Sequence, residues 1–374
     1  MKKSTFLIFC LEGALLSFNV AASAALIPSI SGEFALSQFL VGRIIWVYML
    51  TYGVAAFLYG PLVRRFDARR IELICIFFFS FANLLVALSW NIYSLFLGRF
   101  FMGLFGASVI PLGLILIAKY QSKEKRGKYT GIFFSATFVA SLLGLFLSGV
   151  IYWRWIFIIP ALFGFILWGV MYYKLPSFKG DITGLKFNYF KAFKEGVVLR
   201  ILAYIFLISL IYHAIQQWLG VYFSSELRLN QFIISMLITL TSLSGIFGEL
   251  WGGALADSIG RNRTVDLGLL LMIISIILLI FKAPLTLLIL TMVVWGLGWT
   301  FNHAGLATML TDLPDEFLNE AASLNSGIRF ISGGIGMVLG GLVMSRSFNL
   351  GFILFGLGLL SLLLVDKLRK PKTL

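Results

Sequence analysis

Apolar runs of about 18 residues or more recur along the whole chain, and each can cross a hydrocarbon core about 30 Å thick at 1.5 Å per residue. Inside a bilayer every backbone N–H and C=O must find its partner within the segment, so repeated runs of this length are committed to helices. Twelve runs are legible, at 5–28, 38–60, 71–90, 93–118, 129–152, 155–174, 199–223, 231–253, 265–282, 285–310, 319–344 and 347–366. The expected fold class is an all-α polytopic membrane protein with twelve transmembrane helices. No soluble reading competes. Charged residues are only 12% of the 374, about half the usual share in soluble domains.

A net charge of +14 suggests nucleic acid in a soluble chain. Here basic residues gather in loops on one side, as in the cytoplasmic loops of membrane proteins. With the N-terminus inside, Lys2, Lys3, Arg64, Arg65, Arg69, Arg70 and the basic residues from Lys367 onward are cytoplasmic. Of the loop cations only Arg154, Arg228, Lys282 and Arg346 fall outside. Both termini are therefore expected in the cytoplasm of a multi-pass plasma-membrane protein, with no nucleic-acid partner. The first 25 residues resemble a cleavable leader. Glu12 interrupts their apolar core, however, and a repeat described next needs them as a helix. Cys10 and Cys75 fall inside apolar runs and read as small hydrophobes.

The longest polar break, 175–198, divides the runs six and six. The expected organisation is a first half at 1–174, a cytoplasmic linker at 175–198 and a second half at 199–374 with a short cytoplasmic tail. The halves are related. Gly60 and Leu62 recur 193 positions later as Gly253 and Leu255, and Gly144, Gly149 and Arg154 recur after 192 as Gly336, Gly341 and Arg346. Parallel repeats of this kind are a transporter architecture, with the solute near the midplane. Runs 5, 8 and 11 are rich in glycine, including Gly144, Gly245, Gly248, Gly336 and Gly340. Small residues let helices approach closely, so these three helices are expected at the seam between the halves.

At this point the residues resemble the major facilitator superfamily. The stretch Gly253-Ala-Leu-Ala-Asp257-Ser-Ile-Gly260-Arg261-Asn-Arg263 is similar to that family's signature loop, G-x-L-x-D-R-x-G-x-R-R. "LGRFFMGLFGAS" at 97–108 is similar to its helix 4 motif, and "WRWIF" at 153–157 to its helix 6 start. The resemblance covers essentially the whole chain. It implies two pseudo-symmetric six-helix halves and a cytoplasmic gate at Gly253, Asp257, Gly260, Arg261 and Arg263. Gly60, Arg64 and Asp67 form the degenerate first copy of that gate. Arg64 stands there at the acid's position and Asp67 at the following glycine's, so the gating role passes to Asp257, facing the start of helix 5 near Thr130. Helix 5 lacks the Gly-Pro pair of many proton-driven drug exporters.

Ionisable groups inside a bilayer cost roughly 2.5–3.5 kcal/mol each on insertion scales, so their presence asks for a reason. Glu12 lies about a third of the way into the first helix and is the candidate proton carrier. The resemblance implies for Arg99, on helix 4, a role in proton coupling or in holding an anionic solute group. Glu12 and Arg99 differ in depth by about 9 Å, too far for direct pairing. His213 and Gln217, one turn apart, share a face of helix 7. Asn302 and His303 lie on helix 10, and Asn325 and Arg329 on helix 11. Together these groups are expected to line a central solute and proton pathway. Glu249, two turns before Asp257, reads as part of the gate.

No phosphate-cradling loop and no metal-ligand spacing occurs, so no cofactor is expected. The function that follows is secondary active transport of a small organic solute by alternating access, coupled to H⁺ and carried out by a monomer in the bilayer. The alternative is drug/H⁺ antiport. A non-transporting membrane sensor is disfavoured because no large extramembrane domain exists. A membrane enzyme is disfavoured because no nucleophile or metal motif occurs.

Overall fold

The computed structural model describes residues 3–121, 123–178, 194–312 and 315–365. The described residues form helices joined by short turns. The chain divides into two compact units, Met1–Lys186 and Phe187–Leu374. In the first unit the helices are α1 (Lys3–Ser17), α2 (Ala22–Phe34), α3 (Gln38–Arg65), α4 (Ala68–Ala87), α5 (Ile92–Gly106), α6 (Val109–Tyr120), α7 (Lys123–Ser148) and α8 (Trp155–Lys174). In the second they are α9 (Gly196–Gln216), α10 (Leu219–Ser225), α11 (Gln231–Ser258), α12 (Arg261–Ile280), α13 (Leu285–Thr311), α14 (Asp315–Met344) and α15 (Phe348–Leu364). The middle of the expected linker and the basic tail lie outside the described residues.

Among the described residues ten segments are long and apolar enough to cross a membrane, or eleven if the bent pair α1–α2 is taken as one span. The apolar helix Phe348–Leu364 has 17 residues, which sits at the lower limit of the spanning range. This arrangement is consistent with the expected twelve crossings. Three of the expected continuous helices are broken. The first bends by 41° between α1 and α2. The fourth breaks between α5 and α6, where Pro111 has no N–H to offer the carbonyl of Ala107. The seventh breaks at Gln217–Trp218, where the indole N–H of Trp218 donates to the Met337 carbonyl at 3.0 Å.

Each unit repeats one packing scheme. In the first, α1 lies on α7, α3 on α5, and α4 on α5 and α8; in the second, α9 lies on α14, α11 on α13, and α12 on α13 and α15. The crossings coincide at the level of single atoms. A Cβ built on Gly144 would overlap the Phe18 carbonyl oxygen, and one on Gly336 would overlap that of Leu210. Both members of this pair are 192 positions apart, the offset of the sequence repeat. Gly245 and Gly248 likewise face Thr300. Each of these glycines faces a helix of its own unit.

The far ends of the two units are clasped at matching places. Glu33 at the end of α2 accepts from Arg154 Nη2 at 2.6 Å and from the Tyr152 hydroxyl at 2.6 Å, and also from the Trp153 indole. Arg154 in turn donates to the carbonyls of Ala87 and Ser89. Glu226, 193 positions after Glu33, pairs with Lys282 at 2.6 Å.

The arginine-rich turn of the first unit is shorter than the sequence suggests. Helix α3 runs on through Arg65, so only Phe66 and Asp67 separate it from α4. Asp67 caps α4 by accepting from the Arg69 N–H at 3.0 Å. The same carboxylate accepts from Ser177 Oγ at 2.6 Å and from the Phe178 N–H at 2.9 Å. The buried Phe178 ring packs on Phe9 and Tyr120. The first residues after α8 are thereby fastened to the first unit. Partial burial pushes the Asp67 carboxyl up, but these hydrogen bonds and the Arg69 charge outweigh it and hold the group below its ordinary value. Its contribution to stability is therefore complete above about pH 4, the unfolded value, and is lost as pH falls through the lowered folded value. Asp67→Ala is expected to cost about 1 kcal/mol as a lost cap, or about 2–4 °C in Tm for a unit of this size. An unchanged Tm at pH 7 would count against this latch.

Candidate functional site

Two polar centres lie within the spanning helices, one in each unit. In the first unit, Glu12 on α1 and Glu72 on α4 are both fully buried, and the two carboxyls are close enough to act on one another. Ser108, at the break between α5 and α6, donates to Glu72 Oε2 at 3.3 Å. Cys75, one turn along from Glu72, donates to the Tyr59 hydroxyl at 3.4 Å, and that hydroxyl donates to the Leu104 carbonyl at 2.8 Å. Neither Glu12 oxygen receives a donor from the described residues. The contact is therefore a hydrogen bond only when one of the two carboxyls carries a proton. No cation lies within ion-pair distance of either carboxyl among the described residues, so two ionised carboxylates here would face one another without compensation. Arg99 is not the partner of Glu12.

Arg99 itself is fully buried on α5. Its Nε donates to the Ile44 carbonyl at 3.2 Å, and its guanidinium lies 4.5 Å from the Tyr48 ring centroid. Arg99 Nη2 and the Tyr48 hydroxyl have no hydrogen-bond partner among the described residues. A second buried polar pair, Asn19 and Asn83, is joined at 2.5 Å beside the bend between α1 and α2.

In the second unit the polar groups gather around Trp299 on α13. Tyr212 stacks on Trp299 with centroids 3.9 Å apart, and Trp295 lies parallel to Tyr212 at 5.3 Å. The Trp295 indole donates to Gln216 Oε1 at 2.7 Å, which fixes the stack. His213 sets its edge against Trp299 and stands 2.8 Å from the Ser209 carbonyl. The Arg329 guanidinium lies 5.6 Å from the Trp299 centroid, and its Nε donates to Asn325 Oδ1 at 2.8 Å. His303 Nδ1 stands 2.6 Å from Glu249 Oε1.

Several expectations are corrected by this geometry. Glu249, read from the sequence as part of the gate, stands against His303 in this cluster. Asn302 is one residue from His303, so it points about 100° away. It is buried and donates to the Gly298 carbonyl at 2.8 Å, against α12. Gln217 sits at the helix break, and it is its neighbour Gln216 that is tied into the ring stack. Sequence reasoning missed Glu72, Trp299, Tyr212 and the pairing of Glu249 with His303. The legible signal was helical spacing, since His303 and Trp299 are one turn apart.

The loop residues fall as follows. Gly60 and Arg64 lie in α3, and the Arg64 side chain is outside the described residues. Asp67 is the cap already described. In the second unit Gly260, with φ +93°, turns the chain between α11 and α12. Arg261 bridges Asp312 at 3.0 Å and Asp257 at 3.4 Å, and donates to the Ala256 carbonyl. The Asp257 side chain is 74% exposed. Arg263 is exposed, and a Cβ on Gly253 would meet nothing within 4 Å. Among the described residues no group of three or more His, Cys, Asp or Glu could hold a metal ion.

The family model described as Major Facilitator Superfamily matches residues 9–341 and 225–373. A protein of Pasteurella multocida named "Probable sugar efflux transporter" is 23% identical over 351 residues, covering 92% of this chain and 86% of its own. The chloramphenicol resistance protein CraA of Acinetobacter baumannii is 25% identical over 319 residues, covering 80% of this chain and 77% of its own. Among solved structures, a mutant of the nucleoside transporter NupG matches with a TM-score of 0.80 at 14% identity, over 98% of this chain and all of that one. At that identity the likeness is one of fold.

Proposed function

The chain belongs to the Major Facilitator Superfamily, and we propose that it is a secondary active transporter that couples movement of a small organic solute to protons. The observation that carries this reading is the contact between Glu12 and Glu72 in an apolar interior. Such a pair binds and releases a proton at the cost of rearranging its surroundings, which is what coupling requires. Glu12 and Glu72 act as the proton site, with Ser108 holding Glu72 in place. Arg99 and the cluster around Trp299 serve the solute.

The two units alternate access to the solute from either side of the plasma membrane. Both termini are cytoplasmic, and Asp257 with Arg261 belongs to the cytoplasmic gate. The protein works as a monomer. Export is the favoured direction, because relatives that match most of the chain are named for efflux and for resistance.

Reconstituted proteoliposomes containing a pH-sensitive dye test the coupling. Solutes are screened for their ability to move protons against no imposed gradient, and for their own movement under one. Proton movement that starts only with solute is the expected result. Solute movement indifferent to pH gradients of either sign, by protein shown to be folded, refutes the coupling.

A further inference from the structure

We infer that the cluster around Trp299 and Arg329 in the second unit binds the solute, and that the solute is a planar organic anion such as an aromatic carboxylate. This rests on the transporter reading and deepens it. Trp299 lies 14 residues into α13, about 21 Å from its start at 1.5 Å per residue, so the cluster is deep within the spanning region. Yet its ionisable members are only part-buried, with side-chain exposures of 34% for His303 and 29% for Glu249. Ionisable groups that meet lipid within spanning helices are costly and rare; those found there face the bundle interior or a water-filled path, or pair with one another. The contrast with Glu12, Glu72 and Arg99, all sealed within the first unit, assigns the accessible face to the solute.

The chemistry of that face is specific. Arg329 offers a guanidinium whose one bonded neighbour is a neutral amide, and its Nη2 has no partner among the described residues. No carboxylate oxygen of the described residues pairs with it. Glu249 is close enough to act on Arg329 electrostatically, but it makes no ion pair with it and instead stands 2.6 Å from His303 Nδ1. A guanidinium with no carboxylate in direct contact is complementary to an incoming carboxylate, which it can hold bidentately. Beside it stands the part-exposed Trp299 ring, backed by the buried Tyr212 and Trp295 rings stacked behind it and with the His213 edge against it. Flat, unsaturated bodies gain from such a wall through ring stacking.

The test uses the purified full-length protein in detergent, with benzoate, salicylate and 2-naphthoate as probes. Benzamide serves as the neutral match and cyclohexanecarboxylate as the non-planar one. Tm shift and quenching of tryptophan fluorescence are read together, since a ligand of the folded state raises Tm. At least one aromatic acid is expected to bind tenfold or more tightly than benzamide and several-fold more tightly than the saturated acid. Arg329→Gln should lose that binding, Trp299→Leu should weaken it and lower its quenching, and Glu249→Gln should tighten it by removing a competing charge. A merely structural Arg329 predicts no gain in Glu249→Gln.

Binding of benzamide equal to benzoate overturns the inference, as does no binding by any acid, or an unchanged Kd in folded Arg329→Gln. If Arg329→Gln does not fold, the probe series on the natural protein and Glu249→Gln decide. Tight acid binding without any movement in proteoliposomes strikes the transporter reading alone. Proton-coupled movement of a neutral solute, indifferent to Arg329→Gln, strikes this inference alone.

Discussion

Proteoliposomes bearing Glu72→Gln are expected to lose solute accumulation driven by a pH gradient, by at least tenfold, while solute counterflow without a gradient survives. Glu12→Gln should behave in the same way. The reasoning is local. In the natural pair one carboxyl must bring a proton before it can bond the other, because neither Glu12 oxygen meets any other donor among the described residues. A glutamine at either position supplies that N–H permanently, so the hydrogen bond no longer depends on protonation. The amide keeps the size and shape of the carboxyl, and Ser108 can still donate to its oxygen. It also removes a buried group that is costly when charged, so the Tm of each variant should hold or rise. This combination separates loss of coupling from loss of fold. Accumulation that persists in both single variants would remove the pair from the mechanism, and a fall in Tm would show that the contact is structural.

That pair also marks where the sequence stopped being readable. Glu12 stood out because it interrupts an apolar run. Glu72 did not, because it follows four arginines and reads as one more charge at a membrane surface. In the structure α4 begins at Ala68, which draws Glu72 a full turn into the helix, where it is fully buried and within reach of Glu12. The place of Glu249 was hidden for a related reason. Distance along the sequence put it near Asp257, whereas its helical face puts it against His303. Adjacent residues on a helix diverge by about 100°, so Asn302 and His303 could not both join one cluster. The helix breaks divide similarly. Pro111 carries its own explanation in the sequence, while the bend at Asn19 depends on a bond to Asn83, 64 residues away. What was legible were properties that the membrane itself imposes, namely the length of the runs and their number. The repeat offset was legible too, since close helix crossings hold the same spacing in both units.

Substitution at those crossings should produce the largest loss of folded protein. Gly144→Ala is expected to destabilise by the upper end of the range of about 1–3 kcal/mol for overpacking, or more. The new methyl would overlap the Phe18 carbonyl oxygen, and the next nearest atoms are also backbone. No side chain can rotate out of the way, so α1 or α7 must shift as a body. Gly336→Ala meets the Leu210 carbonyl in the same way and should be nearly as costly in the second unit. Helix propensity favours alanine over glycine by about 1 kcal/mol, so a loss would be measured against that gain. Gly169→Ala supplies the control, since nothing lies within 4 Å of its added Cβ; it should leave Tm unchanged or raise it. Thermal unfolding of the three variants, followed by the fraction that elutes as a single species, distinguishes the outcomes. If Gly144→Ala and Gly336→Ala unfold at the temperature of Gly169→Ala, then the approach of α7 to α1 and of α14 to α9 is looser than described, and the atomic match between the two units loses its physical basis.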